Sequence, residues 1–118
     1  FLGGVVSYSN EAKTGLLKVD PAIIDQYGAV SAECALAMAE GTERLFGPRV
    51  AISVTGIAGP EGGSPEKPVG TVYFGFCVDG KSFTEHKLLF GDRESIRHKA
   101  AEAAILLLFN KLKGNQGT

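Results

Sequence analysis

A phenol, a hydroxyl, an amide and an amine lie close together on residues 8–13, whose sequence is YSNEAK. A lysine amine can accept a proton from a hydroxyl group only when it is uncharged, a form that burial and neighbouring cations favour. Lys13 is therefore a candidate general base. The competing interpretation is an exposed helix lysine that pairs with Glu11 or Asp20. The Tyr-x-x-x-Lys pair of short-chain dehydrogenases is excluded, because Tyr8 and Lys13 are five positions apart and no Gly-x-Gly-x-x-Gly precedes them.

A second candidate is Thr55-Gly56, where an apolar, β-branched run that begins at Val50 ends and a loop rich in glycine and proline begins. This loop extends to Pro68, and a second strand-like run resumes at Thr71. A buried strand that opens into such a loop is a common ligand site in α/β proteins, because exposed backbone N–H groups there can bind an anion. The alternative role for Thr55 is local, since its hydroxyl can cap a turn. The loop lacks the Gly-x-x-x-x-Gly-Lys-Ser/Thr pattern, which argues against nucleoside triphosphate hydrolysis.

Arg93 is a candidate anion ligand because it lies in the first turn of the last predicted helix. A cation there opposes the helix dipole, and an anion bound beside the free N–H groups reverses that penalty. A guanidinium can bind a phosphate or carboxylate through two parallel hydrogen bonds. An ion pair with Asp92 or Glu94 is the alternative. His86 and His98 have no metal-like partners, and we expect them on a sheet face and on the polar side of a helix.

The composition is that of one ordinary globular domain. Its 118 residues carry 12 basic and 13 acidic side chains, a net charge of -1, with no basic block to bind nucleic acid or a membrane surface. Small-molecule partners are therefore favoured. No apolar stretch reaches the length of about 18 residues that a membrane span needs. Cys34 and Cys77 lack a Cys-x-x-Cys spacing, so we expect a reduced, metal-free cytoplasmic chain.

Turn and cap signals divide the chain into helices and strands. Asp79-Gly80 is the strongest hairpin signal, because this pair supplies the positive φ angles of a type I′ turn, and the strands that flank it should be antiparallel. A parallel crossover followed by a tight hairpin predicts a mixed sheet covered by helices, in a three-layer α/β/α fold of the α/β class. The predicted strands cover residues 2–8, 49–55, 70–78 and 82–90, and the predicted helices cover residues 11–17, 21–27, 32–46 and 93–113, the last ending at Gly114.

Five segments together resemble the CinA C-terminal domain family, in order, with the family's spacing and over nearly the whole chain. They are residues 8–13 (YSNEAK), 28–31 (GAVS), 53–60 (SVTGIAGP), 66–72 (EKPVGTV) and 91–93 (GDR). Members of the family are nicotinamide-nucleotide amidohydrolases, which convert nicotinamide mononucleotide to nicotinic acid mononucleotide and ammonia. They occur as free-standing enzymes or behind an N-terminal molybdopterin-binding-like domain. The resemblance implies a Ser/Lys hydrolase that uses no metal and no cofactor.

The resemblance also implies a role for each candidate residue. Lys13 matches the family's catalytic lysine, and Tyr8 matches the tyrosine beside it in the pocket. Thr55 and Gly56 match the end of the strand that binds substrate. Arg93 matches the arginine expected near the phosphate of the mononucleotide.

The nucleophile of the family is a serine in a Gly-Ser-Ser segment upstream of the position that matches Phe1. We therefore expect residues 1–113 to be a CinA C-terminal-like domain that is incomplete at its N-terminus and inactive alone, with a frayed tail over residues 114–118. An unpaired sheet edge favours association with another chain, and we expect a homo-oligomer, with a dimer as the first expectation. The alternative function is a non-catalytic module that binds a nucleotide or serves assembly in a CinA-type protein.

Overall fold

A computed structural model of the chain describes Gly4, residues 9–47 and residues 49–116, with side chains through residue 113. Within these residues three helices are followed by three strands and a fourth helix, in the order that the sequence predicts. The elements are α1 (Asn10–Gly15), α2 (Pro21–Tyr27), α3 (Ala32–Phe46), β1 (Val50–Gly56), β2 (Thr71–Val78), β3 (Lys81–Leu88) and α4 (Arg93–Gln116).

Side-chain caps fix where the first three helices begin. The Ser9 hydroxyl accepts a hydrogen bond from the N–H of Ala12, and the Asp20 carboxylate accepts one from Ala22. Ser31 caps α3 in the same way. Each cap satisfies a backbone donor that has no partner inside its own helix. The predicted starts of α2 and α3 are confirmed, whereas α1 begins one residue before the predicted Glu11 and ends at Gly15, two residues before the predicted Leu17.

The last helix ends later than the sequence predicts. Gly114 was expected to stop it, but α4 continues to Gln116. A glycine inside a helix costs about 1 kcal/mol relative to alanine, which weakens the helix without ending it. The prediction of a helix end at Gly114 is therefore wrong, and residues 117 and 118 of the expected tail lie outside the described part of the chain.

The three described strands form one sheet in the order β1-β2-β3, and both pairings are antiparallel. Asp79 and Gly80 have φ angles of 49° and 82°, the positive values that a type I′ hairpin turn needs, which confirms the predicted hairpin. A mixed sheet was expected, but among the described strands the sheet is entirely antiparallel. The strand that would add a parallel pair was predicted over residues 2–8, which lie outside the described residues except for Gly4.

Helices cover both faces of this sheet, as a three-layer α/β/α arrangement requires. Alternate side chains of β2, at Val72, Phe74, Phe76 and Val78, pack with Ala100 and Ala104 of α4. The opposite face carries Cys77, which packs with Ala51 of β1 and Ala39 of α3. This alternation follows from the two-residue period of a strand. The predicted α/β class is confirmed.

Among the described strands, β1 and β3 are the two edge strands of the sheet. The outer edge of β1 runs between the layers formed by α3 and α4. The carboxyl end of β1 carries Thr55 and Gly56 and leads directly into the glycine-rich loop. None of the described helices is long and apolar enough to cross a membrane.

Candidate active site

A cleft of about 550 Å³ lies along the outer edge of β1, between the helical layers. Its floor is β1 and the first loop residues, from Ile52 to Ala58, with Val72 of β2. The wall on the α3 side consists of Lys13, Leu17, Met38 and Thr42, and the wall on the α4 side consists of Arg93, Ile96, Arg97, Ala100 and Ala101. Four of the five residues proposed from the sequence, Lys13, Thr55, Gly56 and Arg93, therefore line one cavity.

Lys13 is buried in this cleft, with 7% of its surface exposed. The Ser9 cap begins its helix, and Leu17 and Val19, which follow the helix, pack with Cys34 and Met38 of α3. Gly41 allows this close packing, because a β-carbon built there would lie 2.0 Å from the carbonyl oxygen of Leu17. The structure thus places Lys13 away from bulk solvent, in the wall of the cleft.

The hydroxyl group of Thr55 donates its proton to another part of the protein. The side chain donates a hydrogen bond of 2.8 Å to the carbonyl oxygen of Ala29, in the connection between α2 and α3. This is a long-range contact and not the local turn cap that the sequence left open. Because the proton is engaged, Thr55 can act toward a ligand only through the lone pairs of its oxygen, as an acceptor.

The other two hydroxyl groups of the cleft are engaged in the same way. Ser53 donates to the carbonyl oxygen of Ala35, and Thr42 donates to that of Met38 over 2.9 Å. A nucleophilic hydroxyl would donate its proton to Lys13. None of the three hydroxyl groups among the described lining residues does so, because each donates to a backbone carbonyl.

The beginning of the glycine-rich loop contains one backbone N–H that makes no hydrogen bond to a described residue. The N–H of Ile57 donates to the carbonyl of Thr71 over 2.9 Å, so it is occupied. Ala58 also lines the cleft, and its N–H makes no hydrogen bond to any described residue. The residue before them is glycine because the backbone passes close to β2 at position 56. A β-carbon on Gly56 would lie 2.9 Å from a methyl group of Val72. Ala58 is a candidate oxyanion donor.

The charged side chains that line the cleft are all cations within the described part of the chain. They are Lys13, Arg93 and Arg97, and no described lining residue is acidic. Arg93 donates a hydrogen bond of 3.1 Å from its guanidinium to the carbonyl of Gly59. Arg93 therefore holds the loop as well as facing the cavity, and the ion pairs with Asp92 or Glu94 that the sequence allowed do not occur.

Lys67 joins the far part of the loop to the rest of the site. Its amine donates to the carbonyl oxygens of Tyr27 and Val30, over 2.7 and 2.6 Å. The bond from Thr55 to Ala29 is a third contact of the same kind. The end of β1 and its loop therefore bind three carbonyls at the end of α2 and in the connection between α2 and α3. Gly28 in this connection has a φ of 88°, a conformation that favours glycine.

Replacement of Lys67 by methionine is expected to lower the free energy of unfolding by about 2 kcal/mol, because both bonds made by its charged amine are lost. Urea unfolding measures the change. Lys87→Met is the matched control, because Lys87 is exposed on β3 and its side chain makes no hydrogen bond to a described residue. Equal midpoints for the two variants would show that Lys67 is not an anchor.

The remaining titratable candidates lie apart from this chemistry. Burial raises the pKa of the Cys34 thiol, and the charges of Lys13 and Lys67 lower it by a smaller amount. Burial also raises the pKa of Cys77, and both thiols are free. His86 stacks on Tyr73 in the sheet, with ring centroids 4.6 Å apart. The described residues contain no group of three or more His, Cys, Asp or Glu side chains that could hold a metal.

Sequence reasoning missed Arg97, and it proposed backbone N–H donors in the glycine-rich loop without identifying Ala58. Arg97 lies one helical turn after Arg93 and on the same wall, a spacing that could have identified it. The unpaired N–H of Ala58 has no sequence signal, because backbone pairing depends on the path of the loop. Tyr8, the fifth proposed site residue, lies outside the described residues.

Known proteins match both the sequence and the fold. The sequence profile described as CinA C-terminal domain matches residues 1–112. A CinA-like protein of Mycobacterium tuberculosis is 50% identical over 117 residues, which cover 98% of this chain and 27% of that protein. A CinA-like protein of Leptospira biflexa is 48% identical over 115 residues, covering 97% of this chain and 28% of the relative.

A solved structure shows the same architecture. The competence-damaged protein (CinA) superfamily protein from Enterobacter cloacae is 34% identical and superposes with a TM-score of 0.88, over 92% of this chain and 64% of that one. This chain therefore spans little more than a quarter of the length of the curated relatives and about two thirds of the solved chain. On its sequence and its fold, the chain belongs to the CinA C-terminal domain family.

Proposed function

We propose that the cleft binds nicotinamide mononucleotide and that the complete domain hydrolyses its carboxamide to nicotinic acid mononucleotide and ammonia. The observation that carries the proposal is the buried amine of Lys13 in a cavity whose other charged lining residues are two arginines. Membership of the CinA family supports it. By the complete domain we mean this chain together with a segment that carries the serine of the family pattern.

The charge of the cleft favours a phosphorylated substrate. Its described lining residues include three cations and no acidic side chain, so a phosphate gains attraction without repulsion from a carboxylate among them. The apolar floor and walls, with Ile52, Val54, Met38 and Ile96, suit a flat aromatic ring. A mononucleotide combines both features, because it carries a phosphate at one end and a pyridine ring at the other.

The proposed chemistry is a two-step acyl transfer. Lys13 takes the proton of the serine hydroxyl as the oxygen attacks the carboxamide carbon, and the N–H of Ala58 stabilises the oxygen anion that forms. The lysine then returns the proton to the leaving nitrogen, and ammonia departs. Water hydrolyses the resulting ester to the carboxylic acid and free serine. Thr55 contributes a lone pair of its oxygen, as an acceptor for the carboxamide N–H₂.

A second candidate function has its own observation. The three hydroxyl groups of the described cleft all donate to backbone carbonyls, which fits a module that binds a nucleotide without turning it over. The two candidates share the ligand and differ in chemistry.

Ammonia release from nicotinamide mononucleotide by the complete domain separates them. We expect nicotinic acid mononucleotide and ammonia in equal amounts, and we expect the 118-residue chain alone to bind the mononucleotide in calorimetry without releasing ammonia. Binding by the complete domain without any release would favour the non-catalytic module. Absence of binding to both proteins would contradict the proposed substrate.

A further inference from the structure

Two arginines one helical turn apart share the α4 wall of the cleft. Arg93 and Arg97 are both exposed and both line the cavity, and the same pair borders a shallow hollow on its outer side, with Glu94 and His98. Residues four apart on a helix lie on the same face, so the two guanidinium groups approach the cleft from neighbouring positions. The sequence resemblance assigns the phosphate to Arg93 alone.

The two guanidinium groups differ in what they already bind. Arg93 donates to the carbonyl of Gly59 over 3.1 Å and so is tied to the loop. Arg97 makes no hydrogen bond or ion pair with another described residue. Its five N–H donors therefore remain available, in the fork that matches two phosphate oxygens.

No carboxylate forms an ion pair with Arg97 among the described residues, although Glu94 borders the same outer hollow. His98 pairs with Glu102 over 2.6 Å, and Glu94 forms no ion pair within the part of the chain that the structure describes. Lys13 and Arg93, the other charged residues of the cleft, are both cations. An anion at Arg97 therefore meets positive charge on the cleft side and no competing carboxylate bond.

We propose that Arg97 is the residue that binds the phosphate and sets the preference for a mononucleotide over a nucleoside, whereas Arg93 holds the loop. This inference rests on the proposed function. The division of roles follows from the hydrogen bonds. Because Arg93 fixes the carbonyl of Gly59, next to Ala58, its loss disturbs the donor at the amide end of the substrate. Loss of Arg97 removes phosphate contacts only.

The test compares two ligands that differ by the phosphate, nicotinamide mononucleotide and nicotinamide riboside, by calorimetry on the 118-residue chain. Arg97→Ala should weaken mononucleotide binding roughly 10- to 100-fold, the loss expected for hydrogen bonds to a charged group, and leave riboside binding unchanged. Arg97→Lys should recover part of the loss, because it keeps the charge without the fork. Arg93→Ala should weaken both ligands by a similar factor.

Arg49→Ala is the matched control, because this exposed arginine precedes β1 at the end opposite the cleft and pairs with Asp79. It should change neither affinity. The inference is overturned if Arg97→Ala weakens both ligands equally or neither, or if Arg93→Ala alone removes the preference for the phosphate.

Failure of the proposed function has a different signature. If the unmodified chain binds neither nicotinamide ligand, the substrate assignment is wrong, and titration with inorganic phosphate then decides the role of Arg97. Phosphate binding that Arg97→Ala abolishes supports the assignment of the anion site to Arg97. Phosphate binding that survives Arg97→Ala, or no phosphate binding by the unmodified chain, overturns it.

Discussion

Replacement of Lys13 by alanine is expected to reduce ammonia release from nicotinamide mononucleotide by a factor on the order of 10³ in the complete domain, because in the proposed mechanism Lys13 is the base that takes the proton of the serine. The position supports this role: the side chain is 7% exposed and lines the cleft that holds Arg93, Arg97 and Ala58. The mononucleotide should bind within a few-fold of its original affinity, since the phosphate contacts remain. Initial rates and calorimetry measure the two quantities separately.

Lys18→Ala is the matched control for this change. Lys18 lies five positions further on and is exposed, so its loss should leave both turnover and binding unaltered. A Lys13→Ala variant that keeps more than a tenth of the original rate would exclude Lys13 as the base. Thermal unfolding of the variant near that of the unmodified protein shows that lost activity is not lost structure.

The largest effect on stability is expected at Gly75, in the middle of β2. A β-carbon there would lie 2.2 Å from the carbonyl oxygen of Ala35 and 2.6 Å from the Ser53 hydroxyl, so α3 would have to move away from the sheet. We expect Gly75→Ala to lower the free energy of unfolding by roughly 3 kcal/mol, at the upper end for an overpacked site. A shift of the urea midpoint with an unchanged slope reports it.

Gly15→Ala makes the same chemical change where space is free. No atom lies within 4 Å of the β-carbon that it adds, and Gly15 lies at the end of α1. Alanine has the higher helix propensity, so we expect no change or a gain of up to about 1 kcal/mol. Similar changes in the free energy of unfolding for Gly15→Ala and Gly75→Ala would show that α3 does not pack closely on β2 at Gly75.

Local signals in the sequence were enough to predict most of the elements. Ser9, Asp20 and Ser31 cap the helices that they were expected to cap, and Asp79-Gly80 forms the expected hairpin turn. These signals work because each depends on a few neighbouring residues. The end of α4 was missed for a related reason, because a single glycine lowers helix propensity without supplying the capping bonds that end a helix.

The sequence was enough to predict which residues line the candidate site, but not which atoms their side chains bind. Lys13, Thr55, Gly56 and Arg93 were proposed and do line one cleft. Their partners could not be predicted, because Thr55 bonds to Ala29 across 26 residues of chain and the other pairs are similarly remote in sequence. Long-range pairs of this kind depend on how the layers pack, which local patterns do not encode.

The central claim is that the cleft along β1 binds nicotinamide mononucleotide. Titration of the ¹⁵N-labelled 118-residue chain with this compound, followed by amide chemical shifts, tests it most directly. We expect the largest shifts on residues 55–58 and on the first two turns of α4, with the Asp79-Gly80 turn unaffected. Saturating ligand that leaves residues 55–58 and the amides of Arg93 and Arg97 unshifted would contradict it.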